Sequence, residues 1–241
     1  MAKLFIAGAT GYTGRGLVRA ARAEGHETYA HVRPDSRSEL VTEFEQLGAR
    51  VDRTPWDPRA MADTMAAIQP QAVFGLLGTT RSKARAAVAA GQLADAHTYD
   101  AVDRALTEVL IAAVQAQAPT ARFVYLSSLG VSATAPGAYM AARWAVEQTL
   151  QSSTVAWTVA RPSFITGPDR LERRVGERLG AIVSDGMLKA LSSVGVSRPW
   201  RRYGSVTGDQ LAQAILVASM SDDCAHKVLE TGALRDLLPA A

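Results

Sequence analysis

Short apolar stretches rich in β-branched and aromatic residues recur along the chain, and polar or glycine-containing segments separate them. Such stretches are typical of strands that are buried on both faces. We interpret five of them as strands, at residues 3–7, 27–32, 71–77, 122–127 and 154–160. Weaker strands are predicted at 49–53 and 226–230.

Between the strands, apolar residues recur every three to four positions, which is the spacing of amphipathic helices. The clearest of these segments are residues 14–24, 38–47, 99–117 and 208–220. Regular alternation of strands and helices predicts an α/β fold, with a doubly wound parallel sheet and helices on both faces. Past residue 161 the alternation loosens. We therefore expect one domain, residues 1–241, with a small C-terminal cap on the substrate side, formed mainly by 163–205.

Composition and charge narrow the class of protein. With 241 residues, of which 48% are hydrophobic and 20% charged, the chain can bury one substantial core. The net charge of +3 arises from scattered basic residues, so we expect no nucleic-acid partner. Two arginine clusters, at 169–178 and 198–204, are interpreted as solvated surface.

The number of cysteines and the N-terminal residues indicate the cellular compartment in which the protein is expected. Cys224 is the only cysteine, so an intrachain disulfide is excluded. The chain starts without the apolar stretch of a secretion signal, and no segment has the length and apolarity of a membrane span. We expect a cytoplasmic protein without a membrane partner. His97 and His226 lack the spacing of metal ligands, so no metal site is predicted.

A glycine-rich segment, GATGYTGRG, follows the first strand directly and opens a helix. Glycines at 8, 11 and 14 permit a tight turn, a close approach of a pyrophosphate and close packing of helix on strand. The N–H groups at the helix start attract the anion. The pattern predicts a dinucleotide site, and its residues are Gly8, Thr10, Gly11, Tyr12, Thr13, Gly14 and Arg15.

Several segments together resemble a known family. These are GATGYTG at 8–14, VFGLLGTTRSKA at 73–84, VDRALTEVLIAA at 102–113, FVYLSSLG at 123–130, YMAARWAVE at 139–147 and ARPSFITGPDR at 160–170. They are similar to segments of the extended and atypical short-chain dehydrogenase/reductases, which have a Rossmann fold, and within them to the NmrA-like and Tat-interacting-protein-like branch.

The resemblance implies a nicotinamide cofactor and some of its contacts. Asp57 corresponds to an adenine contact, Leu77 and Gly78 pass beside the cofactor ribose, and Pro162 lines the nicotinamide end. Taken by itself, Asp57 is more simply interpreted as the cap of the helix that starts after it.

The end of the second strand selects between NADP and NAD. An acidic residue there binds the adenosine ribose hydroxyls, whereas an arginine pairs with the 2′-phosphate of NADP. Arg33 stands at this point, and Arg15 is a second candidate for the phosphate. NADP is therefore the expected cofactor, while Asp35 keeps NAD open.

Three residues match the catalytic positions of the resembling family. Ser128 corresponds to the residue that binds the substrate carbonyl, Tyr139 to the general acid or base, and Arg143 to a lysine that anchors the nicotinamide ribose. Tyr139 and Arg143 are four residues apart and share one helix face. An arginine can stabilise a tyrosinate, but it does not release its proton and so cannot join a proton relay.

Two functions remain open at this stage. The first is an NADPH-dependent oxidoreductase for a small carbonyl or alcohol, with Tyr139 moving the proton. The second is a regulatory or scaffold protein of the NmrA-like type, which binds the nucleotide and is recognised by a protein partner. Loops at 79–100, 129–138 and 163–205 determine the substrate, so neither its identity nor the choice between redox and epimerase or dehydratase chemistry follows from the sequence. A monomer and a homodimer are both open.

Overall fold

Strands and helices alternate along the chain in the order that the sequence predicts. The computed structural model describes residues 1–33, 36, 38–78, 104–167 and 204–239. Its strands are β1 (Lys3–Ala7), β2 (Glu27–His31), β3 (Arg50–Asp52), β4 (Ala72–Gly75), β5 (Arg122–Leu126), β6 (Ala156–Arg161), β7 (Ile165–Thr166), β8 (Val206–Thr207) and β9 (Lys227–Glu230). Its helices are α1 (Tyr12–Ala23), α2 (Ser38–Gln46), α3 (Pro58–Ile68), α4 (Leu106–Gln117), α5 (Ala138–Gln151), α6 (Gly208–Met220) and α7 (Thr231–Asp236). A short 3₁₀ turn at Asp222–Cys224 precedes β9.

The main sheet is parallel throughout and has the order β3-β2-β1-β4-β5-β6-β9. The strand order reverses between β1 and β4, because β2 and β3 lie on one side of β1, whereas β4 and the strands that follow it lie on the other side. In open α/β sheets a ligand crevice forms at this reversal, outside the carboxyl ends of the strands. The predicted α/β Rossmann fold is confirmed.

Side chains of β1 alternate between two apolar cores, one on each face of the sheet. Leu4 and Ile6 belong to the core that contains Leu17 of α1 and Ile215 of α6. Phe5 and Ala7 belong to the opposite core, which α3, α4 and α5 cover. Burying a side chain such as Leu or Phe stabilises the fold by about 2 kcal/mol. Both faces of β1 are therefore covered, which explains why the strand is apolar at successive positions.

The strand ends lie at one edge of the sheet. Ala7 is paired with His31 of β2 and with Gly75 of β4, and Leu126 of β5 is paired with Ala160 of β6. The residues that follow these strands therefore share one edge. It includes the glycine turn after β1 and the serines after β5.

A second, two-stranded sheet joins β7 to β8, and β8 leads directly into α6. Thr207 and Gln210 form a capping box at the start of that helix. Most of the expected cap at 163–205, the predicted loop at 79–100 and the first residues of the predicted helix at 99–117 lie outside the described residues. In the part of the chain that the structure describes, every helix is too short or too polar to cross a lipid bilayer.

Candidate functional site

Two glycines of the turn after β1 are required by the backbone itself. Gly8 has a φ of +85°, and a Cβ atom there would lie 2.6 Å from the carbonyl oxygen of Leu76. At Gly14 a Cβ would lie 2.2 Å from the carbonyl oxygen of Gly8. Any side chain at either position would displace backbone atoms. These two glycines form the turn and hold α1 against β1 and the end of β4.

Gly11 differs from them, because its backbone has φ −73° and ψ 167°, a conformation that any residue can adopt. Apart from its chain neighbours, a Cβ there would contact only one described atom within 4 Å, the carbonyl oxygen of Gly8 at 3.2 Å. Gly11 is the N-cap of α1, no described side chain caps this helix, and its first turn contains no acidic residue. Among the described residues, the start of α1 thus has neither a side-chain cap nor a negative charge at the sheet reversal, and this arrangement fits a pyrophosphate.

Tyr12 connects this turn to the two-stranded sheet. Its hydroxyl donates to the carbonyl oxygen of Thr166 at 3.3 Å. A Cβ at Gly208 would lie 2.3 Å from the Tyr12 ring, and one at Gly167 would overlap the hydroxyl. The side chain of Tyr12 is thus packed between two glycines, and its cofactor contact stays a prediction. Among the other predicted turn residues, Thr13 is buried and Thr10 is half-buried.

The two arginines that are predicted to bind the 2′-phosphate of NADP have different surroundings. Arg33 is exposed and lies two residues beyond the end of β2. Arg15 forms an ion pair with Glu43 of α2, with 2.9 Å between Nη2 and Oε2. Asp35, which kept NAD open, lies outside the described residues. The sequence analysis did not identify Glu43, because an ion pair between two helices leaves no local pattern.

Asp57, Leu77, Gly78 and Pro162 all lie in connections that follow a strand. Asp57 is exposed and caps α3, since its Oδ1 accepts from the N–H of Ala60 at 2.9 Å. This is the structural alternative considered for Asp57, and its adenine contact stays a prediction. Leu77 and Gly78 follow β4, and Pro162 is buried directly after β6. Their cofactor contacts also remain predictions.

His31 ends β2 beneath this edge and is buried. Its Nε2 lies 2.8 Å from the carbonyl oxygen of Thr54, and the ring of Trp56 meets it edge-on with 4.6 Å between centroids. Burial lowers the pKa of His31, although the Thr54 carbonyl and the Asp52 carboxylate act in the opposite direction. Burial therefore favours the neutral imidazole beneath the segment that leads to Arg33.

A buried carboxylate anchors the ends of β5 and β6. Glu147 of α5 is fully buried and accepts from the hydroxyl of Ser127. It also pairs with Arg161 through both of its oxygens, with 3.0 Å between Arg161 Nε and Oε1. Ser128 is the next residue after the anchored Ser127 and is half-buried. The sequence analysis missed Glu147 and Arg161, although Glu147 lies eight residues after Tyr139 on the same helix face.

The structure brings Tyr139 and Arg143 together. The Arg143 guanidinium lies 4.9 Å from the centroid of the Tyr139 ring and 5.6 Å from that of Tyr125. Arg143 is 6% exposed and donates to the carbonyl oxygen of Leu126 and, at 3.5 Å, to that of Leu77. It also donates to the Tyr125 hydroxyl at 3.3 Å. The guanidinium therefore links α5 to the chain at the ends of β4 and β5, and Tyr139 lies over it, half-buried at the start of the helix.

The catalytic candidates thus share the carboxyl edge of the sheet. Tyr139 and Arg143 are in contact, while Ser128 is tied to them through the chain, two residues after the Leu126 carbonyl that Arg143 binds. This edge offers a phenol, an aliphatic hydroxyl and a fixed cation, which suffice to bind an oxygen atom and to exchange a proton with it. Within the described ranges no cluster of three or more His, Cys, Asp or Glu residues is arranged to hold a metal, and His97 lies outside them.

Comparison with known proteins agrees with this geometry. A family described as NAD(P)H-binding matches residues 8–189. Pinoresinol reductase 1 of Arabidopsis thaliana is 44% identical over 54 residues, which cover 20% of this chain and 17% of that protein. The chain thus matches only a small part of the length of this relative.

Two solved structures share the fold over nearly the whole chain. An oxidoreductase, ylbE of Lactococcus lactis, has a TM-score of 0.64 and 18% identity, covering 98% of this chain and 96% of its own. The Bordetella bronchiseptica enzyme WbmG, solved in complex with NAD, has the same TM-score and identity, covering 96% of this chain and 73% of its own. At this identity the likeness concerns the fold alone. The predicted resemblance is confirmed at the level of an NAD(P)-binding Rossmann protein.

Proposed function

This chain belongs to the NAD(P)H-binding family, and from that premise we propose that it is an NADPH-dependent oxidoreductase acting on a small carbonyl or alcohol. One observation carries the proposal. Tyr139 lies half-buried at the carboxyl edge of the sheet, over the buried guanidinium of Arg143. A phenol held against a cation at the edge where ligands bind in this fold is suited to act as the general acid or base.

The glycine turn supports nicotinamide binding. Gly11 would leave room for the pyrophosphate, and the start of α1, which no described side chain caps and whose first turn has no acidic residue, would supply N–H donors. Arg33 and Arg15 would pair with the 2′-phosphate, which favours NADPH over NADH. When bound, NADPH supplies a hydride to the substrate carbonyl carbon.

The side chains at the edge would handle the substrate oxygen and its proton. The Ser128 hydroxyl would hold the carbonyl oxygen, and the Tyr139 hydroxyl would transfer its proton to that oxygen as the alcohol forms. Arg143 would stabilise the resulting tyrosinate and, because it keeps its own proton, would not pass one on. Tyr139 would then be reprotonated from solvent at its exposed edge.

A specific observation favours a second candidate, a regulatory protein that binds the nucleotide without turning it over. The guanidinium of Arg143 is engaged with the carbonyl oxygens of Leu126 and Leu77. In the resembling family, the residue at this position anchors the nicotinamide ribose, so an engaged guanidinium could leave the ribose held less firmly. A protein partner would then respond to the nucleotide-bound state.

The turnover rate of Tyr139→Phe, compared with that of the parent, distinguishes the oxidoreductase from the regulatory protein. A panel of small aldehydes, ketones and alcohols is offered with NADPH or NADP, and reduced nicotinamide is followed by its absorbance. Tyr29→Phe is the matched control, because this tyrosine lies on β2 and bonds to Glu27. We expect a loss of kcat of at least about 100-fold for Tyr139→Phe alone, with NADPH affinity retained. NADPH binding without turnover of any compound would favour the regulatory function, whereas equal turnover by parent and Tyr139→Phe would rule out Tyr139 as the general acid or base.

A further inference from the structure

The ion pairs around Arg15 form a chain that crosses three helices. Glu43 of α2 contacts Arg15 of α1 at 2.9 Å and Arg19 of α1 at 3.2 Å. Arg19 in turn contacts Asp209 of α6 at 3.3 Å. Two cations and two carboxylates alternate along this chain. Glu43 is its central acid, because it is shared between both arginines.

This chain of ion pairs begins at the candidate phosphate site. Arg15 follows Gly14 directly, and its N–H donates to the carbonyl oxygen of Gly11 at 2.9 Å. Arg33 follows β2, whose last residue is paired with the last residue of β1. Arg33 therefore follows a strand that ends at the same edge of the sheet as the glycine turn, and α2, which carries Glu43, starts five residues after Arg33.

Glu43 acts on Arg15 in two ways that oppose an incoming phosphate. It occupies a guanidinium N–H donor that a phosphate would use, and it places a negative charge beside a group that carries nearly two. The side chains of Arg15 and Glu43 are 28% and 29% exposed, so solvent weakens both effects without removing them. NADH has no 2′-phosphate and meets neither effect.

The neighbouring Arg19 lowers the free-energy cost of replacing Glu43 by a phosphate as the partner of Arg15. When a phosphate takes Arg15, Glu43 retains its contact with Arg19, and so no carboxylate is left unpaired. We infer that Glu43 is a selectivity residue, which holds Arg15 in competition with the 2′-phosphate and thereby limits the preference of this protein for NADPH over NADH. This inference rests on the proposed cofactor site and deepens it.

The test is the affinity of Glu43→Gln for NADPH and for NADH, measured by titration at one fixed, low ionic strength. We expect the NADPH dissociation constant to fall about fivefold and that of NADH to change less than about twofold. Glu45→Gln is the matched control, because Glu45 is an exposed residue of the same helix, and it should leave both constants unchanged. The double variant Arg15→Ala/Glu43→Gln should not show this increase in NADPH affinity, because the increase depends on the Arg15 guanidinium.

Each other result decides against the inference. An unchanged or weaker NADPH affinity in Glu43→Gln, an equal shift for both nucleotides, or a gain that persists without Arg15 would overturn it while leaving the nucleotide site intact. If the parent bound neither nucleotide, the proposed function itself would fall. The two failures are therefore distinguishable in one set of titrations.

Discussion

The guanidinium of Arg143 lies 4.9 Å from the centroid of the Tyr139 ring, one helical turn further along α5. The same guanidinium donates to main-chain carbonyl oxygens of Leu126 and Leu77. It thus combines two tasks, because it supports the phenol and ties α5 to two strand ends. A lysine has a single ammonium group and lacks the planar fork that reaches several acceptors at once.

Arg143→Lys should therefore weaken the fold rather than improve the site. We expect the free energy of unfolding to fall by about 1–3 kcal/mol, since a buried carbonyl would lose its donor. Urea denaturation measures the change, with Arg59→Lys on the exposed face of α3 as a control expected to stay within about 0.5 kcal/mol. A lysine variant as stable as the parent would show that the guanidinium contacts do not hold the strand ends.

Glu147→Gln should lower the free energy of unfolding more than Arg143→Lys does. The carboxylate is fully buried and pairs with Arg161, so the neutral amide would leave a poorly exposed guanidinium without its counter-charge. Breaking one side of a buried ion pair costs about 3–5 kcal/mol. The same denaturation experiment applies, and Glu45→Gln on the surface serves as the control. A loss below about 1 kcal/mol would mean that the pair contributes little to the ends of β5 and β6.

Alanine substitutions should distinguish Gly14, which the backbone of the turn requires, from Gly11, which we propose is needed for the cofactor. Gly14→Ala should destabilise the protein by more than about 2 kcal/mol, because its Cβ would lie 2.2 Å from a backbone oxygen. Gly11→Ala should stay folded with a nearly parental melting temperature, because its backbone angles suit alanine, yet lose most of its stabilisation by NADPH if the pyrophosphate approaches the turn at Gly11 as proposed. Thermal melting with and without NADPH measures both effects. Full stabilisation of Gly11→Ala by NADPH would place the pyrophosphate elsewhere.

His31 predicts the direction of a pH effect on stability. Its pKa is lowered from 6.5 by burial, so the unfolded chain takes up a proton at a higher pH than the folded one does. The stability contributed by the neutral imidazole is therefore present above pH 6.5 and is lost as the pH falls towards the lowered pKa of the folded state.

The comparison of the parent with His31→Gln isolates this effect. Between about pH 7 and about pH 5 the parent should lose up to about 1.4 kcal/mol per pH unit more than the variant. Denaturation curves at several pH values give the difference. Parallel pH profiles of the two proteins would show that His31 does not titrate on unfolding.

Most of the fold was predictable because its signals are local. The apolar runs gave β1 at Lys3–Ala7 and the helical spacing gave α6 at Gly208–Met220, with the same bounds as in the structure. Strand ends were less accurate, since the run predicted at 71–77 contains only the four strand residues of β4. The apolar residues Leu76 and Leu77 follow the last paired residue, Gly75, and composition alone does not show where pairing stops.

The candidate site was predictable only where its residues are neighbours in sequence. Tyr139 and Arg143 share a helix face at a spacing of four, and the structure confirms that they are in contact. The Arg15–Glu43 pair, the Glu147–Arg161 pair and the packing of Tyr12 against Gly208 join segments that are distant along the chain. Such contacts depend on how helices pack, and no local pattern encodes them.

The central claim of this account is that the turn after β1 and the arginines beside it bind NADPH. Titration of the parent with NADPH and with NADH tests it most directly, with Arg33→Ala as the informative variant and Arg59→Ala as the exposed control. The account predicts that NADPH binds about tenfold more tightly than NADH, and that Arg33→Ala removes most of this advantage without changing NADH affinity. Equal affinities in the parent, or a preference for NADPH that survives in Arg33→Ala, would contradict it.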